Sequence, residues 1–278
     1  DWIADLDRFL QDNRDRLKHF ELGRRPDLVF EPNAYAYLVE RVGTSIHAAD
    51  PSFDLLIGPL ADGSGNWLAG IDPARLTPYI HGLAVENPKK LEEAAARLQR
   101  DYPGMVLWLH AAPQGSDVAA FARLLYEARV AGFQRVFAGS GAPPDIVALL
   151  LNLALALPAR FEPDPAPTVK ASMQDGRAPA WVGYFADPLS SERALLLPEA
   201  PSGPPALEPA TIARLRVIDL ASGADLPAQR GAPAAAGPLL MRFLVVQEPR
   251  AAPETIGVTE ERRLTAEEII ARYRAFEA

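Results

Sequence analysis

A strand, a helix and a second strand in the middle of the chain constrain the fold more than any other feature. Five consecutive apolar residues, Met105–Leu109, lie between a Pro-Gly pair and a polar turn, which is typical of a strand buried on both faces. Asp117 offers an N-cap for the following helix, and Gly132 offers a C-cap at its end. Val136 then begins a second buried strand. The pattern predicts an α/β fold.

The residues before this unit favour helices. Apolar residues at helical spacing predict amphipathic helices over Asp1–Leu22 and Asn33–Val42, another that begins at Asp72 and carries Leu83, and one over Lys89–Arg100. Phe53–Leu60 has the composition of a strand. The turn at Asp62-Gly63 predicts a hairpin whose second arm is Asn66–Ala69.

The composition changes at Ala159–Thr168, where three prolines favour an extended connector. Beyond it, short apolar runs alternate with Pro- and Gly-rich turns, as in a small antiparallel sandwich or barrel. These runs are residues 169–173, 180–186, 194–197, 212–220 and 239–247. Thr265 and Glu268 form a capping box for a final helix.

We therefore predict an α+β or α/β fold with two domains. Residues 1–158 form an α/β domain with N-terminal helices and a small mixed sheet, and residues 159–168 form a Pro-rich linker. Residues 169–278 form a β-rich, sandwich-like domain with a C-terminal helix.

Charge and composition exclude several function classes. A net charge of −8 without a basic cluster argues against nucleic-acid binding. The absence of cysteine excludes disulfides, thiolate metal sites and cysteine nucleophiles. The longest uncharged apolar run, Ile146–Ala159, is shorter than the roughly 20 residues that span a bilayer. Membrane contact is therefore expected only through an anchor outside this sequence. The glycine-rich nucleotide-binding patterns are missing, so no cofactor is predicted.

His110 is the leading candidate for a catalytic side chain. It follows a predicted central strand, at the end where open α/β sheets place ligands. Asp62 follows the predicted strand Phe53–Leu60 in the same way. A ring satisfied by backbone groups is the alternative for His110, and hairpin-turn chemistry is the alternative for Asp62. Neither Ser64 nor Ser140 lies in a Gly-x-Ser-x-Gly nucleophile elbow.

A metal site is an alternative that the sequence supports less. His47, Asp50, Asp54 and Asp62 are close in sequence and carry imidazole and carboxylate ligands. Turn and strand-entry positions explain the same aspartates, and no His-x-x-x-His pair is present. We therefore predict no bound metal.

Residues 61–139 resemble the periplasmic domain of the ExbD/TolR biopolymer-transport proteins. Those domains begin with a hairpin around an Asp-Gly turn, as at Asp62-Gly63. A strand of the type Val-x-Ile-x-Ala follows, which Val106–Ala111 approximates, and a helix ending in Ala-Gly-Phe matches Ala131-Gly132-Phe133. The resemblance implies a bacterial module that binds a protein or the cell wall in the periplasm, as a homodimer, without catalysis.

The first functional hypothesis is therefore a non-enzymatic binding or scaffold module of a bacterial envelope assembly. It would be periplasmic or anchored facing the periplasm, with a cytoplasmic location as the alternative. The second is an α/β hydrolase or transferase with its site at the strand ends near Asp62 and His110. The third is a β-domain that binds a small ligand near Trp181 and Tyr184. The second hypothesis requires a cleft at these strand ends with at least two titratable groups in hydrogen-bond reach, and a His110 buried against aliphatic side chains and remote from any carboxylate would exclude it.

Overall fold

The structure is a computed structural model, and its description covers most of the first 245 residues. The described residues are 2–61, 63, 65–112, 117–139, 141–167, 169–172, 179–199, 206–208, 212–226 and 238–245. The chain divides into two compact units after Val245. The second unit, with the helix predicted at Thr265, lies outside the described residues. The domain boundary predicted at residues 159–168 stays a prediction.

Helices and strands alternate in the first half, and strands dominate the second. The helices of the described residues are α1 (Trp2–Asn13), α2 (Pro32–Ala49), α3 (Pro73–Leu76), α4 (Leu91–Asp101), α5 (Val118–Ala131) and α6 (Pro144–Ala156), with 3-10 turns at Pro26–Leu28 and Trp67–Gly70. The first five strands are β1 (His19–Leu22), β2 (Asp54–Leu60), β3 (Gly82–Glu86), β4 (Val106–Ala111) and β5 (Arg135–Ala138). The later strands are β6 (Glu162–Pro163), β7 (Lys170–Ser172), β8 (Gly183–Ala186), β9 (Glu192–Leu197), β10 (Ala206–Glu208), β11 (Ile212–Asp219), β12 (Asp225–Leu226) and β13 (Leu239–Val245).

The first five strands form a parallel sheet in the order β1-β2-β3-β4-β5. Neighbouring strands lie about 4.8 Å apart, so β1 and β4 would be roughly 14 Å apart in a flat sheet. The rings of His19 on β1 and Trp108 on β4 are nevertheless only 5.4 Å apart. The sheet therefore curls into a half-barrel, with one concave and one convex face.

Side chains alternate between the two faces along each strand. Leu55, Leu83 and Leu107 belong to the large buried cluster that includes the helices, so they lie on the convex face. Leu56, Ala84 and Trp108 form a separate cluster on the concave face.

Two helix caps set the ends of α5, because the Asp117 carboxylate accepts a hydrogen bond from the Ala120 amide at 2.9 Å and Gly132 adopts a left-handed φ of 103°.

The second half builds an antiparallel sheet of order β12-β11-β13-β9-β8-β6, and β10 pairs with β7. One face of the larger sheet joins the helical core through Phe185, Leu196 and Leu240. The other face packs Leu195 and Met241 against a cluster that includes Val169 and Ala171. Within the described ranges, no helix is both long and apolar enough to cross a bilayer.

Several predicted elements are wrong. The helix predicted over Asp1–Leu22 ends at Asn13, and residues 19–22 form β1. The predicted hairpin arm Asn66–Ala69 falls on a 3-10 turn at Trp67–Gly70. The helix predicted from Asp72 ends at Leu76, and residues 82–86 form β3. The predicted α+β fold with a small mixed sheet is therefore replaced by an all-parallel, curled sheet beside an antiparallel one.

Candidate active site

The carboxyl ends of three parallel strands bring titratable side chains to one edge of the half-barrel. Glu21 lies near the end of β1, Glu86 ends β3, and His110 lies near the end of β4. Glu86 and His110 are register partners on neighbouring strands. Both lie two residues beyond concave-face side chains, Ala84 and Trp108, so they face the concave side as well. This edge is the one at which parallel α/β folds place ligands.

Glu21 and His110 form a hydrogen-bonded pair across the curl of the sheet. Glu21 Oε1 lies 2.6 Å from His110 Nε2, and about a quarter of each side chain is exposed (25% and 26%). The imidazole ring also stacks on Phe137 of β5, with ring centroids 5.2 Å apart and an interplanar angle of 28°. The carboxylate and the aromatic ring together fix the imidazole orientation. The pair can hold a proton between Oε1 and Nε2 and remain accessible to a ligand.

Glu86 is held by an arginine through one of its two oxygens. Arg25 Nε donates to Glu86 Oε2 at 2.7 Å, and Arg25 Nη2 lies 2.6 Å from the same oxygen. The Glu86 carboxylate in turn raises the pKa of the Arg25 guanidinium. Arg24 Nε lies 3.9 Å from the other oxygen, Oε1. Arg25 therefore pairs with Oε2, while Oε1 makes the longer contact with Arg24, and 12% of the Glu86 side chain is exposed.

The loop that carries Arg25 is fixed by the backbone. Arg25 has a left-handed φ of 53°, a conformation that few non-glycine residues adopt and that is found often at functional sites. Its amide donates to the Pro59 carbonyl at 2.9 Å, and the Asp27 carboxylate accepts from the Ala61 amide at 2.9 Å. These bonds join the segment that follows β1 to the end of β2 and the residue after it, so the Arg25 backbone has a defined position beside β2.

The structure describes one of the two candidate residues. His110 lies where the sequence predicts, at the carboxyl end of β4, and a carboxylate is close to it. Asp62 lies outside the described residues. Sequence reasoning missed Glu21 and Glu86. Glu86 does end a short apolar segment, Gly-Leu-Ala-Val-Glu, whereas Glu21 is the third residue of His-Phe-Glu-Leu, which carries no such signal.

The third hypothesis, a ligand site near Trp181 and Tyr184, finds little room among the described residues. The cavity that Tyr184 lines holds about 10 Å³, and a single water needs about 10–15 Å³. The Tyr184 hydroxyl accepts a hydrogen bond from the Ala171 amide at 3.2 Å. Trp181 packs edge-on against Tyr126, with centroids 5.2 Å apart.

A second polar cluster lies at the opposite, amino edge of the sheet. His19 Nδ1 is 2.8 Å from Asp54 Oδ2, and His81 Nε2 is 3.8 Å from Asp54 Oδ1. The rings of His47 and His81 meet edge to face, 5.5 Å apart. The described members of the alternative metal set do not assemble, because Asp50 instead binds the Ser52 amide and Arg14, and Asp62 lies outside the described residues. Across the described ranges, no three His, Cys, Asp or Glu side chains are arranged to hold a metal.

His47 at this amino edge is expected to make stability fall as the pH falls from 7 to 5. Burial and then the neighbouring His81 lower the pKa of His47, so the unfolded chain binds a proton first, near the ordinary value of about 6.5. The contribution of the neutral His47 to the free energy of unfolding is fully present above that pH and decreases below it. Asp54 and His19 also face this cluster. Urea unfolding of wild type and His47→Gln, measured at half-unit pH steps, gives the free energy of unfolding at each pH. The plot of this free energy against pH should have a shallower slope for the variant. Parallel slopes would contradict this expectation.

Comparisons with known proteins support the fold without naming a family. No family model and no curated protein sequence matches the chain. Solved structures do match. A family 39 glycoside hydrolase from Bacteroides cellulosilyticus WH2 aligns with a TM-score of 0.56 at 12% identity, over 88% of this chain and 61% of that one. A family 44 xyloglucanase from Paenibacillus polymyxa aligns at 0.54 and 9% identity, over 87% and 70%. A glucosidase from Croceicoccus marinus aligns at 0.50 and 10% identity, over 88% and 75%.

These likenesses correct the first functional hypothesis. The resemblance to ExbD/TolR proteins is wrong, because the parallel half-barrel and its adjoining antiparallel sheet match glycoside hydrolases instead. The envelope scaffold that rested on this resemblance loses its support, and the hydrolase alternative agrees better with the fold. The periplasmic location, the envelope partner and the homodimer stay predictions. The chain shares the fold of these glycoside hydrolases and spans 61% of the first of them.

Proposed function

We propose that this chain carries part or all of the active site of a hydrolase that cleaves glycosidic bonds. The observation that supports the proposal best is the placement of Glu86 beside His110 and its partner Glu21, at the carboxyl edge of the half-barrel. Most glycosidases use a pair of Asp or Glu residues that flank the scissile bond, and here Glu86 and the Glu21-held imidazole of His110 would take these two places. One group donates a proton to the leaving oxygen, and the other stabilises the developing positive charge or attacks the sugar.

The two groups in this site have different surroundings, which suggests different roles. Glu86 is ion-paired to Arg25 through Oε2, so Oε1 would face the anomeric carbon as a carboxylate. The imidazolium of His110, whose Nε2–H is hydrogen-bonded to Glu21 Oε1, would give its Nδ1 proton to the leaving oxygen as the glycosidic C–O bond breaks. The neutral imidazole would then take a proton from the water that completes hydrolysis. Phe137, stacked on His110, offers an apolar surface for a sugar ring.

The experiment that tests these roles compares leaving groups. Wild type and His110→Asn would be assayed with 4-methoxyphenyl and 2,4-dinitrophenyl β-glucosides and with xyloglucan. A poor leaving group needs protonation and an activated one does not. We therefore expect His110→Asn to lower kcat by roughly 10²–10⁴ on the methoxyphenyl glycoside and far less on the dinitrophenyl glycoside. Glu21→Gln should shift the same ratio in the same direction.

His19→Asn is the matched control. His19 also pairs with a carboxylate, Asp54 at 2.8 Å, and lies on the same strand as Glu21 but at the amino edge. Its replacement should leave the ratio between the two leaving groups unchanged. Saturable glycan binding by wild type without any product would overturn the catalytic proposal. Equal losses on both leaving groups in His110→Asn would overturn the role of His110 as the acid.

A further inference from the structure

A second cavity lies away from the strand ends, between α5, α6 and the antiparallel sheet. Its volume is about 300 Å³, and it opens to the surface. Most of its lining is apolar and comes from both helices, from the segment between α6 and β6, and from the sheet: Leu125, Leu150, Leu153, Phe161, Phe185 and Leu196. Glu21, Glu86 and His110 do not line it. The cavity is therefore separate from the candidate active site.

The size and lining of this cavity favour an apolar occupant. Protein interiors leave few voids larger than a water molecule. A water occupies roughly 30 Å³ in the liquid, so this space accommodates roughly ten heavy atoms. Apolar walls hold water poorly, and ligand sites are typically apolar clefts with a few well-placed polar groups.

One cationic side chain, Arg129, lines the cavity and favours a ligand with an anionic group. Arg129, in the last turn of α5, donates from Nη1 to the Gln134 carbonyl at 2.9 Å. With the described residues it makes no ion pair. Glu162 lines a neighbouring groove that shares Arg129 and Gln134, but it is not in ion-pair contact with the guanidinium. The remaining N–H groups of Arg129 can therefore donate to an anion whose apolar part lies in the cavity.

We propose that this cavity binds an amphipathic monocarboxylate, with the carboxylate on Arg129 and an aliphatic tail of roughly eight carbons between α5, α6 and the sheet. The proposal rests on two matches: the carboxylate with the single cationic group of the cavity, and the aliphatic tail with its apolar lining. It does not depend on glycosidase activity, so either proposal can fail without the other.

Calorimetric titration of the full chain with octanoate and with 1-octanol tests this site. The two probes have the same tail and differ in charge. We expect saturable one-to-one binding of octanoate to wild type. Arg129→Gln should weaken octanoate at least about tenfold, because it removes a charge-assisted hydrogen bond, and should leave 1-octanol within about twofold. Leu153→Trp, which fills the cavity, should abolish both interactions while circular dichroism remains that of wild type.

Arg123→Gln provides the matched control on the same helix. Arg123 pairs with Glu199 and does not line the cavity, so its replacement should leave octanoate affinity unchanged. Failure of octanoate to saturate wild type would overturn the site. So would binding that survives in Leu153→Trp. An equal loss of octanoate and 1-octanol affinity in Arg129→Gln would overturn the role of the charge.

Discussion

Glu86→Gln is expected to lower kcat on aryl glycosides by at least about 100-fold, with circular dichroism unchanged. The substitution keeps the size of the side chain and removes the negative charge that, in the proposed function, would face the sugar. It also leaves the Arg25 guanidinium, 2.6 Å from Glu86 Oε2 in wild type, without its counter-ion. That positive charge would then oppose the positive charge that develops on the sugar ring. Steady-state kinetics on a dinitrophenyl glycoside isolates this effect, because the activated leaving group needs no proton.

Glu40→Gln separates charge at the site from the general cost of breaking an ion pair. Glu40 on α2 accepts a hydrogen bond from Arg75 Nε at 2.8 Å, in another Glu–Arg pair away from the strand ends. Both variants lose one pair, and both should unfold at somewhat lower urea concentrations. Only Glu86→Gln should change kcat. A Glu86→Gln enzyme that retains wild-type kcat would remove Glu86 from the mechanism.

Gly58→Ala is expected to destabilise the fold by about 4 kcal/mol, the largest stability effect of a single methyl group that we predict. Gly58 has a φ of 117° in the irregular part of the β2–β3 pairing. A Cβ there would overlap the backbone carbonyl oxygen of Ala84 and lie 3.0 Å from the Leu60 amide nitrogen. Backbone atoms of a paired strand cannot move aside as a flexible side chain can. Urea unfolding should show a lower midpoint with an unchanged slope.

Gly104→Ala measures the conformational part of this cost alone. Gly104 also has a positive φ, of 82°, but a Cβ there would meet nothing within 4 Å. Its replacement should cost about 1–2 kcal/mol. Equal free energies of unfolding for the two alanine variants would contradict this expectation. They would mean that the β2–β3 pair relaxes around the new methyl group and that the close contact adds no steric cost.

The sequence predicts the centre of the parallel sheet well, because several local signals agree there. Val106–Ala111 is a continuous apolar strand apart from His110, and the helix after it has a capping aspartate and a terminal glycine. His110 could be identified as a candidate because its strand was predicted. The position of a residue at a strand end is then enough to suggest contact with a ligand.

The two glutamates were missed because their strands were missed. β1 has only four residues, and Phe20 and Leu22 also fit the apolar stripe of a helix that begins near the N-terminus. β3 follows a short helix, and Leu83 continues the helical spacing of Leu76 and Ile80. In both segments the pairing with β2 decides the structure. Such pairing joins residues far apart in sequence, so local periodicity does not detect it.

The mistaken resemblance has a related cause. An Asp-Gly turn, a buried strand and a helix ending in Ala-Gly are local motifs that occur in unrelated α/β folds. They specify neither the order of the strands nor whether the pairing is parallel. The order β1-β2-β3-β4-β5 and the curl, which distinguish this fold, arise from contacts between segments. Those contacts are visible only in three dimensions.

The length of the Glu21–His110 hydrogen bond depends on how strongly the five-stranded sheet is curled. The two residues lie on strands separated by two others. Small changes in twist at each of the three strand pairs therefore add together in the distance between Glu21 Oε1 and His110 Nε2. Side chains on the convex face, such as Leu83 and Leu107, set that twist without approaching a ligand. Selection for a working proton donor would then act on the packing of the distant helices, and rate-altering substitutions would be found on the outside of the half-barrel as well as at its mouth.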